Sequence, residues 1–207
     1  MQHFKCPGPA GTLEGCVTHA ESPQQPWALI CHPHPLYQGS MHNKVVSTSA
    51  KTCQKNGINS VRFNFRGVGA SESDYVNLEG ACADARAVIH WMTQHHTAPQ
   101  WLIGFSFGSY VAACMATSGT HLILIAPPVL RLPFDTLHLP QHTTVIQGEL
   151  DSIATPEATT AWVTAHTDQP IQYMPIPEAT HFFDQKLLAL SQAITMTLSS
   201  NTSNSQN

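Results

Sequence analysis

At 207 residues the chain is long enough for one sizeable hydrophobic core and short for two independent ones. Charged side chains make up 11% of it, against about 25% in an average soluble protein, yet no apolar run approaches the roughly 20 residues that cross a bilayer, which argues against a membrane protein. Nine basic residues, a formal charge of -4 and no Lys/Arg cluster argue against nucleic acid as a partner.

Residues Met1 to Gly11 lack the apolar core of a secretion signal, so the expected location is the cytoplasm. Leu13 to His19 reads as an antiparallel edge strand, and Trp27 to Cys31 (WALIC) as a buried strand. Asn43 to Lys55 has helical spacing, Ile58 to Phe65 is β-rich, and Leu78 to His95 repeats apolar residues at Ala81, Ala85, Val88, Ile89 and Met92. Trp101 to Gly104 is the next strand and Ser106 to Thr117 the next helix; strands follow at His121 to Ala126 and Thr143 to Gln147, then a helix at Pro156 to His166. Ile171 to Ile176 is the last predicted strand and Phe183 to Leu198 the last helix, leaving Ser199 to Asn207 as a polar, unstructured tail. The βα alternation predicts one α/β domain over residues 1–198, a doubly wound and mostly parallel sheet with helices on both faces. Six scattered cysteines without a C-x-x-C pair read as buried thiols rather than disulfides.

In such a sheet ligands bind beyond the carboxyl ends of the strands, and three reactive residues fall there. Gly104-Phe105-Ser106-Phe107-Gly108 follows an apolar strand and opens a helix, the pattern of a sharp turn that lifts a serine hydroxyl clear of the sheet. Asp151 lies four residues beyond the strand ending at Gln147, and His181 lies in the loop after the last strand. A serine hydroxyl needs a base at hydrogen-bond distance, and the base needs a carboxylate to fix its tautomer. Glu149, two residues from Asp151, is an alternative acid, whereas Asp184 reads as an N-terminal carboxylate of the last helix.

From Leu13 to about Leu198 the chain resembles the α/β-hydrolase superfamily, on four motifs in order: HPHP at His32 to Pro35, RFNFRGVGAS at Arg62 to Ser71, GFSFG around Ser106, and GELD with THFF near the end. The short chain and the combination HPHPLYQGSMHNKVV with FNFRGVGAS resemble the compact, lidless bacterial carboxylesterases within it. The resemblance implies Ser106 as nucleophile, His181 as general base and acid, and Asp151 as the orienting acid, with no metal and no organic cofactor. It also implies two backbone donors for the developing oxyanion, Phe107 N–H and one from the HPHP loop. Pro35 has no N–H, so that second donor is His34 or Leu36, and His34 is the expected one.

Competing readings exist for several of these residues. His32 and His34 form an H-x-H pattern, but HPHPLYQGSMH adds only His42 as a further ligand, which is thin for a catalytic metal. Arg66-Gly67-Val68-Gly69 lacks the third glycine and the Lys-Ser/Thr of a phosphate loop, so it reads as a tight turn anchored by Arg66. Phe182 and Phe183 read as packing behind His181. Between the strands at His121 and Thr143 only residues 127–142 intervene, with four prolines, too little for a cap. The expected cleft is open, walled by Leu36, Tyr37, Val129, Leu130 and Phe134, and suits small esters with short acyl chains. Thioesterase or peptidase activity on the same three residues, or ligand binding without turnover, are the alternatives, and the chain is expected to act as a monomer or homodimer.

Overall fold

The computed structural model describes residues 1–21, 25–166 and 170–202. Eight strands, β1 (Gln2–Gly8), β2 (Gly11–Thr18), β3 (Trp27–Cys31), β4 (Asn59–Phe63), β5 (Trp101–Phe105), β6 (His121–Ile125), β7 (His142–Gly148) and β8 (Gln172–Ile176), form one sheet in the order β1-β2-β4-β3-β5-β6-β7-β8. The helices are α1 (Lys44–Lys55), α2 (Leu78–His95), α3 (Phe107–Met115), α4 (Pro156–Ala165) and α5 (Leu187–Thr202). Strands β4 to β8 and β3 are parallel; β2 pairs antiparallel with both β1 and β4. This is the α/β-hydrolase fold expected from the sequence.

The central strands are apolar on both faces because helices cover both. Successive residues point to opposite sides. Leu29, Leu102, Leu122, Leu124 and Val145 join the core under α2 and α3, while Ile30, Ile103, Ile123, Ile125 and Ile146 join the core under α1 and α5. Helix α2 places Ala81, Ala85, Val88 and Met92 on its buried stripe, and Asn77 Oδ1 caps it by accepting from Gly80 N at 2.8 Å. After β3 the chain moves one way along the sheet to β4, then returns to place β5 on the other side of β3. The loops after β3 and β5 therefore part at this reversal, and the crevice between them is where such sheets take ligands.

Three sequence expectations are corrected. Leu13 to His19 does not form the sheet edge: β1 lies outside it, joined by the two-residue turn Pro9-Ala10. Only Phe4, Cys6 and Gly8 of β1 are even partly covered, and Phe4 stacks on Trp91 of α2 with ring centroids 3.8 Å apart, so its inward pattern is too short to read as a strand. The last helix starts at Leu187 rather than Phe183, because Phe183 (φ 53°) and Gln185 (φ 59°) hold left-handed backbone that no α-helix accepts. It also continues to Thr202, so residues 199–202 of the expected tail are helical; 203–207 lie outside the described residues. Burial of Leu190, Ala193, Ile194 and Leu198 carries this helix despite its polar end.

Among the described residues no lid stands over the strand ends. The segment between β6 and β7 contains a single 3-10 turn, Phe134–Thr136.

Candidate active site

Ser106 sits between the last residue of β5 and the first of α3, with φ 53° and ψ -120°. That left-handed backbone is costly for a residue with a side chain and persists only where its surroundings fix it. Here the fixing is visible: Ser106 N donates to Ile125 O at 2.8 Å, and Ser106 O accepts from Ser109 N at 2.9 Å and Ser109 Oγ at 2.5 Å. The glycines are required by space. A Cβ on Gly104 would lie 2.1 Å from Gly108 O, and one on Gly108 would lie 2.3 Å from Cys31 O. Strand and helix can pass this closely only with hydrogen at both positions.

His181 Nε2 is 3.0 Å from Ser106 Oγ, and His181 Nδ1 is 2.7 Å from Asp151 Oδ2. A carboxylate only accepts, so Nδ1 carries the proton and Nε2 presents a lone pair to the serine hydroxyl. Asp151 and His181 are 3% and 5% exposed, while Glu149 is exposed, which separates the two candidate acids. Asp151 is held on every side. Its Oδ1 accepts from Ile153 N (2.8 Å) and Ala154 N (2.9 Å), and its Oδ2 also takes a bond from Gln147 Nε2 at 3.2 Å. Gln147, buried at the end of β7, also donates to Ala154 O at 2.8 Å and so closes the acid loop. The sequence reading missed this residue; a lone glutamine at the end of an apolar strand was its only signal. Asp184 belongs elsewhere: it is exposed and ion-paired with Lys44 of α1, not at the start of a helix.

The HPHP loop meets the elbow through aromatic contact. The His34 ring packs edge-on against Phe107, centroids 4.7 Å apart, with Tyr75 a further 5.0 Å neighbour of His34. Leu36 N donates to His34 Nδ1 at 3.2 Å, and burial holds the His34 imidazole below its ordinary pKa, consistent with a neutral acceptor. With Leu36 engaged and Pro35 lacking an N–H, His34 is the remaining candidate donor of the two. Phe107, first residue of α3, has no carbonyl one turn earlier to bond. His32 is fully buried and both ring nitrogens are used: Nδ1 donates to Pro33 O (2.6 Å) and Nε2 accepts from Phe65 N (3.1 Å). Burial pushes its pKa down to about 3, so it braces β3 to the segment after β4 as a neutral ring and has no lone pair to offer a metal.

Arg66 anchors its turn as expected. It forms a two-pronged ion pair with the fully buried Asp84 of α2, Nη2 to Oδ1 at 2.6 Å, and also reaches Gly80 O at 3.0 Å. Of the expected cleft walls, Leu36, Tyr37 and Leu130 are 70%, 80% and 81% exposed. Val129 and Leu130 line a cavity of about 190 Å³ together with Ser152 and Ile153 from the acid loop. Phe134 is corrected: at 1% exposure it packs edge-on against Tyr110 and Trp162 in the core and cannot touch a ligand. Phe183 is buried, as expected, with its ring 6.5 Å from that of Phe105, whereas Phe182 is 41% exposed with its ring edge-on to the imidazole at 5.2 Å.

A family model described as the alpha/beta hydrolase family matches residues 39–201 of this chain. The chain belongs to the alpha/beta hydrolase family. It is 37% identical over 200 residues to an uncharacterized protein of Rickettsia prowazekii, covering 90% of this chain and 84% of that protein. Among solved structures it is similar to an alpha-beta serine hydrolase homologue from Coxiella burnetii, with a TM-score of 0.88, 36% identity and coverage of 95% and 97% of the two chains. A serine hydrolase without a lid from Xanthomonas campestris is similar to the same degree, with a TM-score of 0.88, 37% identity and coverage of 95% and 93%. Membership of this family accounts for the elbow, and likeness to a lidless member agrees with the bare strand ends between β6 and β7. Among the described residues no helix is long and apolar enough to cross a membrane.

Proposed function

We propose that this alpha/beta hydrolase cleaves small carboxylic esters with short acyl chains through an acyl-enzyme on Ser106, using a Ser106-His181-Asp151 triad. The observation that carries the reading is the unbroken chain of hydrogen bonds from Ser106 Oγ through the imidazole to Asp151, at 3.0 and 2.7 Å. Ser106 Oγ attacks the ester carbonyl carbon as its proton passes to His181 Nε2, and Asp151 stabilises the imidazolium that forms. The carbonyl oxygen becomes negative and takes hydrogen bonds from Phe107 N–H and His34 N–H, each worth about 3–4 kcal/mol in comparable sites. Collapse breaks the ester C–O bond, and the alcohol leaves with the proton from Nε2. Water then attacks the acyl carbon by the same route and restores the serine.

The absence of a lid supports the preference for short acyl groups, since exposed Leu36, Tyr37 and Leu130 offer a shallow apolar wall with nothing to enclose a long chain. The test is a p-nitrophenyl ester series from acetate to palmitate, with thioesters and anilides beside it. Ser106→Ala is expected to abolish both turnover and labelling by a fluorophosphonate. Retention of either by that variant, or faster turnover of palmitate than of acetate, refutes the proposal.

A further inference from the structure

On the face of β2 and β4 that α1 covers, Arg62 is 3% exposed, and among the described residues no carboxylate pairs with it. Its Nη1 donates to Met41 O (3.0 Å) and Ser47 Oγ (2.9 Å); among the described residues its Nη2 reaches only the Met1 Sδ, at 3.6 Å, and its buried Nε has no partner. A guanidinium taken out of water without a counter-charge is among the costliest groups a fold can bury. Arg62 lines a cavity of about 310 Å³ whose other walls are Met1, Thr18, His42, Ser47, Ala50, Lys51 and Gln54. Thr18 sits two pairs along the β2·β4 ladder from Arg62, on the same face of the sheet, and its buried Oγ1 is also without a partner among the described residues. The cavity thus gathers two of the nine Lys and Arg residues of a chain whose net charge is -4, with no acidic side chain in its lining.

We propose that this cavity is a binding site for a phosphoryl oxyanion, supplied by inorganic phosphate or by the phosphate group of a small molecule or lipid. Arg62 provides the fixed charge at the floor, Thr18 and Ser47 hydroxyls flank it, and exposed Lys51 and His42 close over the anion from the rim. A phosphoryl group suits this set better than a carboxylate because it presents at least three acceptor oxygens to donors that converge from several directions. The site shares no residue with the triad: it is built on β2, β4 and α1, with Met1 at the chain start and His42 from the end of the segment that joins β3 to α1.

The test is calorimetric titration of the full chain at constant ionic strength with three probes: inorganic phosphate, glycerol 3-phosphate, and vesicles of phosphatidic acid in phosphatidylcholine. Chloride is the control. Saturable binding of at least one probe is expected, weakened about tenfold or more in Lys51→Gln and also weakened in Thr18→Val, since each removes one donor from a charged ligand. The probe that saturates at the lowest concentration identifies the source of the phosphate. Arg62→Met is expected to abolish saturation. Because Arg62 also holds Met41 and Ser47, the exposed Lys51 position decides the matter if that variant fails to fold. No saturable binding of any probe, or binding unchanged in both Lys51→Gln and Thr18→Val, overturns the proposal.

Discussion

Replacing Asp151 by asparagine changes one oxygen to an amide nitrogen and almost no volume, and the surroundings dictate which way the new amide faces. Ile153 N–H and Ala154 N–H both point at Oδ1, at 2.8 and 2.9 Å, so the asparagine oxygen must take that place. Turning it round would oppose two backbone donors with an NH2 group. The nitrogen therefore occupies the Oδ2 position, 2.7 Å from His181 Nδ1, where it can only donate. Imidazole responds by moving its proton to Nε2, which then faces Ser106 Oγ across 3.0 Å as a donor and cannot take the serine proton. The base is lost without any change of shape. Loss of the correct tautomer costs about 10⁴ in kcat in serine proteases, or about 5.5 kcal/mol of transition-state stabilisation. Expected here is a fall of kcat for p-nitrophenyl acetate of about that size, a similar fall in the rate of fluorophosphonate labelling, and an unaltered circular dichroism spectrum. Glu149→Gln, at an exposed position, is expected to leave kcat within about twofold. A fall of less than about 100-fold in Asp151→Asn, or a larger fall in Glu149→Gln, would refute the tautomer argument.

Gly104→Ala and Gly108→Ala each drive a Cβ to within 2.3 Å of a backbone carbonyl oxygen, so thermal unfolding should show a loss of more than about 3 kcal/mol or no soluble protein at all. Arg66→Met strands the fully buried Asp84 carboxylate and is expected to cost about 3–5 kcal/mol in urea unfolding, with the double variant Arg66→Met/Asp84→Leu recovering a large part. Acid should destabilise the fold through one buried and two half-buried imidazoles. His32, pushed down to about 3, and His96 and His121, lowered by burial, all bind protons more weakly when folded than at the unfolded value of about 6.5. Their contribution is therefore complete above that value and is lost as pH falls from about 6.5 towards 3, so the urea midpoint should drop steadily between pH 7 and pH 4. A midpoint independent of pH across this range would contradict the assignment of His32 as a buried neutral brace.

The parts of this molecule readable from sequence are those in which one physical requirement dominates. Helix α2 was legible to the residue because an apolar repeat, an Asn cap and an eighteen-residue length agree. Ser106, Asp151 and His181 were legible because each lies just beyond a parallel strand, β5, β7 or β8, and strand ends are where this architecture exposes side chains. Strand β1 was hidden because an edge strand buries little: Phe4 and Cys6 alone do not make a pattern. Phe134 was misplaced for the opposite reason. A phenylalanine in a proline-rich loop beside the cleft looks available to a ligand, and only the tertiary structure reveals that the loop folds it inward onto Tyr110 and Trp162. Local sequence speaks of propensity, whereas the side of a loop that faces the core is decided by distant packing.

The same distinction explains why Gln147 matters and was not seen. Asp151 and His181 lie thirty residues apart, on the loops that follow β7 and β8, and their separation must be fixed to a fraction of an ångström for a 2.7 Å bond to persist. Backbone pairing beyond the strands achieves this: Glu149 N donates to Ile176 O at 3.1 Å and Leu150 N to Ala179 O at 2.9 Å, so the two loops continue the sheet and move as one body. Gln147 then fastens the acid loop to itself through Ala154 O while touching the carboxylate. A positioning role of this kind has a signature that plain destabilisation lacks. Gln147→Met keeps the volume and removes the bonds donated to Asp151 Oδ2 and Ala154 O, so it should lower kcat more than it raises KM, and Gln147→Glu at low pH, where its acid can donate once, should recover part of the loss. If Gln147→Met instead changes only the melting temperature and leaves kcat within about twofold, Asp151 is held well enough by Ile153 and Ala154 alone, and the glutamine serves the fold rather than the reaction.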